Sequence, residues 1–313
     1  MQEDFSVVRS RIHRKSHDYF VFSHRRWDRE KRNMFYGATD ALADTSHAAS
    51  NYENAISSNA GSNLLVCYGF LQALYVQQDA VITLSRALGL RWSPNDNGRL
   101  KQIRDTRNRL AGHPALAGER ESPRRLSAAI IGYDDITKVG FRGHVYFEDG
   151  SENIDIDVPS FRNDNEELLS LQMRQVEKQM DEQERDFRKR EAPHLFSPRF
   201  EGPFSYLMQR LSCDLTDEGR AIQAQLHAQP IRKTIIDFRD ELDTGGFSSE
   251  GTSYHIRLVL TGLNRLEAFT HEEKPTEETQ DEFDLIYSGV EKHINKIVSF
   301  TLEIDKKLCT PID

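Results

Sequence analysis

The first third of the chain contains a long run of apolar residues at helical spacing. Its stripe, spaced by three or four positions with one longer gap, consists of Leu64, Tyr68, Leu71, Tyr75, Val81, Leu84 and Leu88. Val66, Phe70 and Leu74 widen the stripe. A helix that is apolar on most of its circumference must be covered by neighbours. The run therefore predicts the central helix of an α-helical bundle.

Helices are also predicted on both sides of this central helix. Apolar residues recur at steps of three, four and seven over residues 34–58, and a further helix is predicted over residues 98–111. The second of these ends at Gly112, His113 and Pro114. Glycine readily adopts the left-handed conformation that ends many helices, and proline cannot continue a helix. The sequence therefore specifies this helix end well.

The hydrophobic period changes from helical to alternating between residues 126 and 158. Residues 126–131 form a short apolar run, and residues 139–147 and 153–158 largely alternate between two faces. The intervening residues 148–151, Glu-Asp-Gly-Ser, have the composition of a hairpin turn. The pattern predicts a small antiparallel sheet of two or three strands.

The rest of the chain again has a helical period. A charge-dense helix is predicted over residues 163–191, and more helices follow to the C-terminus. The last one has a heptad seam formed by Phe283, Tyr287, Val290, Ile294, Ile297, Thr301, Ile304 and Leu308. Such a seam packs inside a bundle or pairs with a second copy of the chain. A run of only about four heptads favours the bundle.

We therefore predict a mainly α protein with three regions. Residues 1–33 are basic and aromatic, residues 34–192 form a helical bundle with a β insertion at about 126–158, and residues 193–313 are helical. The first region mixes cations with aromatic rings, which can hold phosphates and stack bases. The alternative, which we favour, is a helix whose aromatic side chains dock on the core.

Composition limits the classes of function. The net charge of −9 argues against a protein that coats nucleic acid, although a local basic patch can still bind it. Three distant cysteines, Cys67, Cys213 and Cys309, make neither a disulfide framework nor a metal knuckle. We expect a cytoplasmic protein with no secretory signal, no membrane span, no metal site and no cofactor.

One segment has the chemistry of a catalytic site. Arg107 and Asn108 lie near the end of the predicted helix, and His113 follows the break at Gly112. Cleavage of RNA by its own 2′-hydroxyl needs a base near neutral pH, which imidazole supplies. It also needs a cation on the phosphate oxygens, and arginine can bind two of them at once.

These residues resemble the signature of the HEPN superfamily, in which Arg, usually followed by a polar residue, precedes His by four to six intervening positions. Here Arg107 and Asn108 precede His113, with five residues between the arginine and the histidine. The resemblance covers roughly residues 34–114. It implies a helical bundle and, in many members, a homodimer whose two motifs form one metal-independent ribonuclease site, often in toxin–antitoxin or anti-phage defence systems.

By this resemblance Arg107 would stabilise the phosphate, His113 would carry acid–base work and Asn108 would support them. RNA and an antitoxin or other partner protein are the implied partners. Other HEPN proteins lack nuclease activity, so the alternative function is a non-catalytic module that binds a protein or nucleic acid. In that case Arg107 would pair with Asp79 or Asp105, and His113 would cap the helix end.

Overall fold

The computed structural model describes residues 4–22, 26–112, 126–216, 221–269 and 277–312. Their packing divides the chain into two compact units, which are Met1–Asp18 with Trp27–Asp181, and Tyr19–Arg26 with Glu182–Asp313. Helices dominate both units, and the described strands form one small antiparallel sheet in the first. The predicted fold class, mainly α with a small antiparallel sheet, is confirmed at this level.

The first unit is built around the predicted central helix. Its helices are α1 (Phe5–Asp18), α2 (Arg29–Ser50), α3 (Tyr52–Ala55), α4 (Ala60–Ala87), α5 (Gly98–Arg107) and residues 158–181 of α6 (Val158–Glu191). The central helix is α4, and it packs most extensively against α2. Side chains such as Phe70, Leu71 and Leu74 are buried along it. Asn59 caps its start by accepting a hydrogen bond of 2.9 Å from the Ser62 N–H.

Two helices have bounds that the periodicity placed differently. The helix predicted over residues 34–58 begins at Arg29, because the Asp28 carboxylate caps that end by accepting from two backbone N–H groups. It ends at Ser50, and the short α3 follows. Helix α6 begins at Val158, directly after the last strand, and not at residue 163. Both helices therefore begin earlier in the chain than the apolar periodicity predicts, α2 at its cap and α6 at the end of the last strand.

The sheet consists of β1 (Leu126–Ile131), β2 (Gly140–Phe147) and β3 (Gly150–Asp157), in that order and all antiparallel. Phe141 and Val145 of β2 and Ile156 of β3 belong to one buried cluster that also contains side chains of α4 and α5. The alternation in the sequence thus places one sheet face on the helices.

Three buried amide side chains link α4 to α6. Asn165 Nδ2 donates to Gln77 Oε1 at 2.7 Å, and Gln78 Nε2 donates to Asn165 Oδ1 at 2.9 Å. Gln78 Nε2 also donates to the carbonyl of Leu100 in α5, at 3.3 Å. Because a buried amide without partners is costly, this network favours one register of the three helices.

The aromatic side chains of the N-terminal region are divided between the two units, with Phe22 in the second and Trp27 in the first. Phe22 is buried, and the Trp27 ring packs edge-on against Phe35 at 5.1 Å. Two basic side chains of α1, Arg11 and Lys15, are paired with carboxylates of α6 within the first unit. Arg11 donates twice to Glu177 at 2.9 Å, and Lys15 contacts Glu177 and Asp181.

The described residues of the second unit form helices and connecting loops, with no strand among them. After residues 182–191 of α6 it contains α7 (Pro203–Thr216), α8 (Ala221–Gly245), α9 (Glu250–Phe269) and α10 (Glu277–Cys309). Every member of the predicted heptad seam is buried or half-buried, and α10 packs mainly on α9. The seam therefore packs inside the bundle. Asp305 of α10 accepts from the N–H groups of Phe196 and Ser197 at 2.9 and 2.8 Å.

Among the described residues, no helix combines the length and the apolar character that crossing a membrane requires.

Candidate functional site

The Arg-Asn pair of the motif lies at the end of α5, where the backbone changes its winding. Asn97 caps the start of α5 through bonds to the N–H groups of Arg99 and Leu100. Arg107 is the last residue of regular α-helix, and residues Asn108–Gly112 continue as a π-helical turn. Wide turns of this kind are frequent at functional sites.

One face of α4 contacts Arg104 and Arg107 of α5. Gln72, Tyr75 and Asp79 are spaced by three and four positions, so they lie on one side of α4. Arg104 and Arg107, spaced by three, lie on one side of α5. The pairing of these two faces places both guanidinium groups over the Tyr75 ring, with Cζ at 4.1 Å from the ring centroid for Arg104 and 4.4 Å for Arg107.

The Arg107 guanidinium is held by neutral oxygen atoms. Its Nε and Nη2 donate to Gln72 Oε1 at 3.0 and 2.7 Å, and its Nη1 donates to Asn108 Oδ1 at 3.1 Å. An arginine has five N–H donors. These bonds to described residues therefore leave one N–H on Nη1 and one on Nη2. The guanidinium is fixed in direction, and its charge is not cancelled by these partners.

Arg104 has the opposite electrostatic arrangement. Its Nη1 donates to Asp79 Oδ1 at 2.8 Å, and its side chain is only 15% exposed. A cation next to a carboxylate at this distance is largely compensated. Asp79, one of the two carboxylates that the alternative interpretation assigned to Arg107, is therefore paired with Arg104, and Asp105 is the other.

The sheet forms a wall beside the π-helical turn. Leu110 is buried and lies against Gly143 of β2, where a Cβ atom would come within 2.5 Å of a leucine methyl group. Arg109 lies 3.9 Å from Glu152 of β3. The β insertion thus supports the segment that carries the motif.

The structure brings Arg107 and Asn108 together, and His113 lies outside the described residues. Gln72 is the contact residue that sequence reasoning missed, and Tyr75 was assigned only to an apolar stripe. The available signal was the spacing of Gln72, Tyr75 and Asp79, which places a polar edge on an otherwise apolar helix.

Two reactive groups in the buried cluster of the first unit, Cys67 and Tyr52, have raised pKa values. Cys67 is buried, and burial raises the pKa of its thiol to about 11. Burial also raises the pKa of Tyr52, whose hydroxyl lies 3.7 Å from the Cys67 sulfur. A thiol with a raised pKa is a poor nucleophile. Within the described ranges, no group of three or more His, Cys, Asp or Glu side chains could hold a metal ion.

Comparison of this chain with protein-family models, curated proteins and solved structures gives no match.

Proposed function

We propose that the protein is a metal-independent endoribonuclease of the HEPN type. The observation that supports this proposal best is the state of Arg107, a fixed guanidinium whose described partners are the neutral oxygens of Gln72 and Asn108. Because these partners are neutral, they leave the positive charge of Arg107 available to attract an anion. The remaining N–H groups of Arg107 suit the oxygens of a phosphodiester.

The proposed reaction is attack of a ribose 2′-oxygen on the adjacent phosphorus. The 2′-O–P bond forms while the P–5′-O bond breaks, which leaves a 2′,3′-cyclic phosphate and a 5′-hydroxyl. Arg107 stabilises the negative charge that grows on the phosphate oxygens. His113 takes the proton of the 2′-hydroxyl as the general base, and the leaving 5′-oxygen takes a proton from water to become the 5′-hydroxyl. Asn108 orients Arg107 through its side-chain oxygen.

The proposal includes a homodimer, since the resemblance implies a site made from two copies of the motif. It also includes a cytoplasmic setting and a toxin or defence role, in which a partner protein restrains the activity. We expect the purified chain to be dimeric by sedimentation at the concentrations at which it cleaves RNA. An active monomer would contradict the shared site.

The test is incubation of the full chain with RNA in EDTA. We expect cleavage by the wild type and a loss of about 100-fold or more for Arg107→Ala and for His113→Ala. Arg99→Ala is the matched control, because Arg99 lies on the same helix, is 60% exposed and pairs with Asp164. Unchanged cleavage by the Arg107 and His113 variants would refute the site.

The same assay addresses the alternative function. If no RNA is cleaved under any condition, the bundle is better described as an interaction module. His113→Ala would then only lower stability, by about 0.5–2 kcal/mol, as the loss of a helix-end interaction does.

A further inference from the structure

The face of α4 that contacts Arg104 and Arg107 offers each arginine a different acceptor. Asp79 carries a charge and binds Arg104, whereas Gln72 is neutral and binds Arg107. Tyr75 lies between them in sequence, and both guanidinium groups lie over its ring. One arginine is thus neutralised and anchored, while the other is fixed without being neutralised.

We propose that Gln72 is a positioning residue that aims the Arg107 guanidinium at the scissile phosphate while leaving its charge available. This inference rests on the proposed function and adds a residue to its site. Gln72 contacts Nε and Nη2 through a single oxygen, so it fixes the plane of the guanidinium. The Tyr75 ring restricts the same group by a cation–π contact.

The neutrality of Gln72 matters as much as its geometry. Gln72 is exposed, and Glu has nearly the same shape, so Gln72→Glu retains an acceptor at the same place. A carboxylate there would bind Arg107 more tightly, because hydrogen bonds between charged groups are stronger. It would also cancel the positive charge that a phosphate requires. Gln72→Ala therefore removes the contact that orients the Arg107 guanidinium, whereas Gln72→Glu keeps an acceptor but neutralises the charge of Arg107.

The experiment compares both variants of the full chain with Gln102→Glu. Gln102 is an exposed glutamine on α5, and its substitution makes the same change in net charge. We expect Gln72→Ala to lower kcat on the order of tenfold, since the guanidinium loses its direction. Gln72→Glu should raise KM as well as lower kcat, with no loss of thermal stability. Gln102→Glu should change neither constant by more than about twofold.

A second readout is the salt dependence of binding to a single-stranded RNA analogue that lacks the attacking 2′-hydroxyl. Each lost phosphate contact lowers the slope of log affinity against log salt by about 0.7 for single strands. We expect this decrease, per motif, for Gln72→Glu and for Arg107→Ala. Slopes equal to that of the wild type in both variants would overturn the charge argument.

A third readout separates failure of this inference from failure of the proposed function. The Nε–H of Arg107 should give a proton–nitrogen NMR signal that exchanges slowly with water in the wild type. Exchange should become at least tenfold faster in Gln72→Ala. If RNA is not cleaved but the exchange changes, the proposed reaction fails, while the positioning of the Arg107 guanidinium by Gln72 stands. If the exchange is unchanged, the positioning role is refuted whether or not RNA is cleaved.

Discussion

Replacing Gly143 with alanine would push a methyl group into the segment that carries the motif. The new Cβ would lie 2.5 and 2.6 Å from the two methyl carbons of Leu110 and 3.1 Å from its Cγ. Carbon atoms pack at about 3.5–4.0 Å, so Leu110 must move. Leu110 is only 1% exposed and cannot turn toward solvent.

The size of the effect follows from packing. An extra methyl group in a well-packed core costs about 1–3 kcal/mol. Leu110 lies in the π-helical turn that follows Arg107, so its shift displaces the segment that carries the motif. A displacement of about 1 Å at a catalytic group can cost on the order of 100-fold in rate. We expect Gly143→Ala to lose activity beyond what its loss of stability explains.

The assay combines urea unfolding with RNA cleavage measured well below the unfolding midpoint. Gly69→Ala is the control, since Gly69 lies inside α4 with nothing within 4 Å of a new Cβ. That substitution should stabilise the protein by about 0.5–1 kcal/mol and leave the rate unchanged. Hydrogen exchange of the peptide that covers residues 104–112 should become faster only in Gly143→Ala.

The double variant Gly143→Ala/Leu110→Ala tests the mechanism of the effect. Leu110→Ala alone should cost about 2–5 kcal/mol. In the Gly143→Ala background the same truncation should cost less, because the methyl group then fills part of the space. Strictly additive effects, or an unchanged cleavage rate in Gly143→Ala, would refute the coupling between the sheet and the motif.

The structure supports three further predictions. Asn165→Leu removes the amide that binds Gln77 and Gln78, so urea unfolding should show a loss of about 1–3 kcal/mol per unsatisfied partner, and no loss would refute the role of the network. Asp305→Ala should lower the stability of the second unit by about 1–3 kcal/mol in the same assay, because two backbone N–H groups lose their acceptor. Burial, with His255 and Lys292 nearby, lowers the pKa of His293 below 6.5, so the unfolded chain binds the proton first and the unfolding temperature should fall as pH drops below about 6.5. His293→Asn should reduce that fall, and an identical pH profile would contradict the assignment.

The sequence predicted elements whose signal is local. The stripe of α4 and the heptad seam of α10 depend only on spacing, and the structure buries both. The turn at residues 148–151 and the alternation around it predicted the hairpin for the same reason. A helix or strand with one buried face needs apolar residues at a fixed spacing, whichever element covers that face. The spacing can therefore be recognised in the sequence alone.

The contacts between distant elements could not be predicted in this way. Gln72 and Arg107 are 35 positions apart, and their bond depends on the register of α4 against α5. Spacing alone did not decide whether Asp79 would bind Arg104 or Arg107, since both lie on the same face of α5. Leu110, in the π-helical turn at Asn108–Gly112, likewise packs against Gly143 of a strand that is distant in sequence.

The proposed reaction is tested by identifying the chemical ends of the RNA fragments that form in EDTA. Two substrates of one sequence are compared, one all-ribose and one with 2′-deoxyribose at the cleaved positions. We expect cleavage of the first substrate only, with 2′,3′-cyclic phosphate and 5′-hydroxyl ends, and loss of this cleavage in Arg107→Ala but not in Arg99→Ala. Cleavage of the 2′-deoxy substrate, 5′-phosphate ends, or full activity of Arg107→Ala would contradict the proposed reaction.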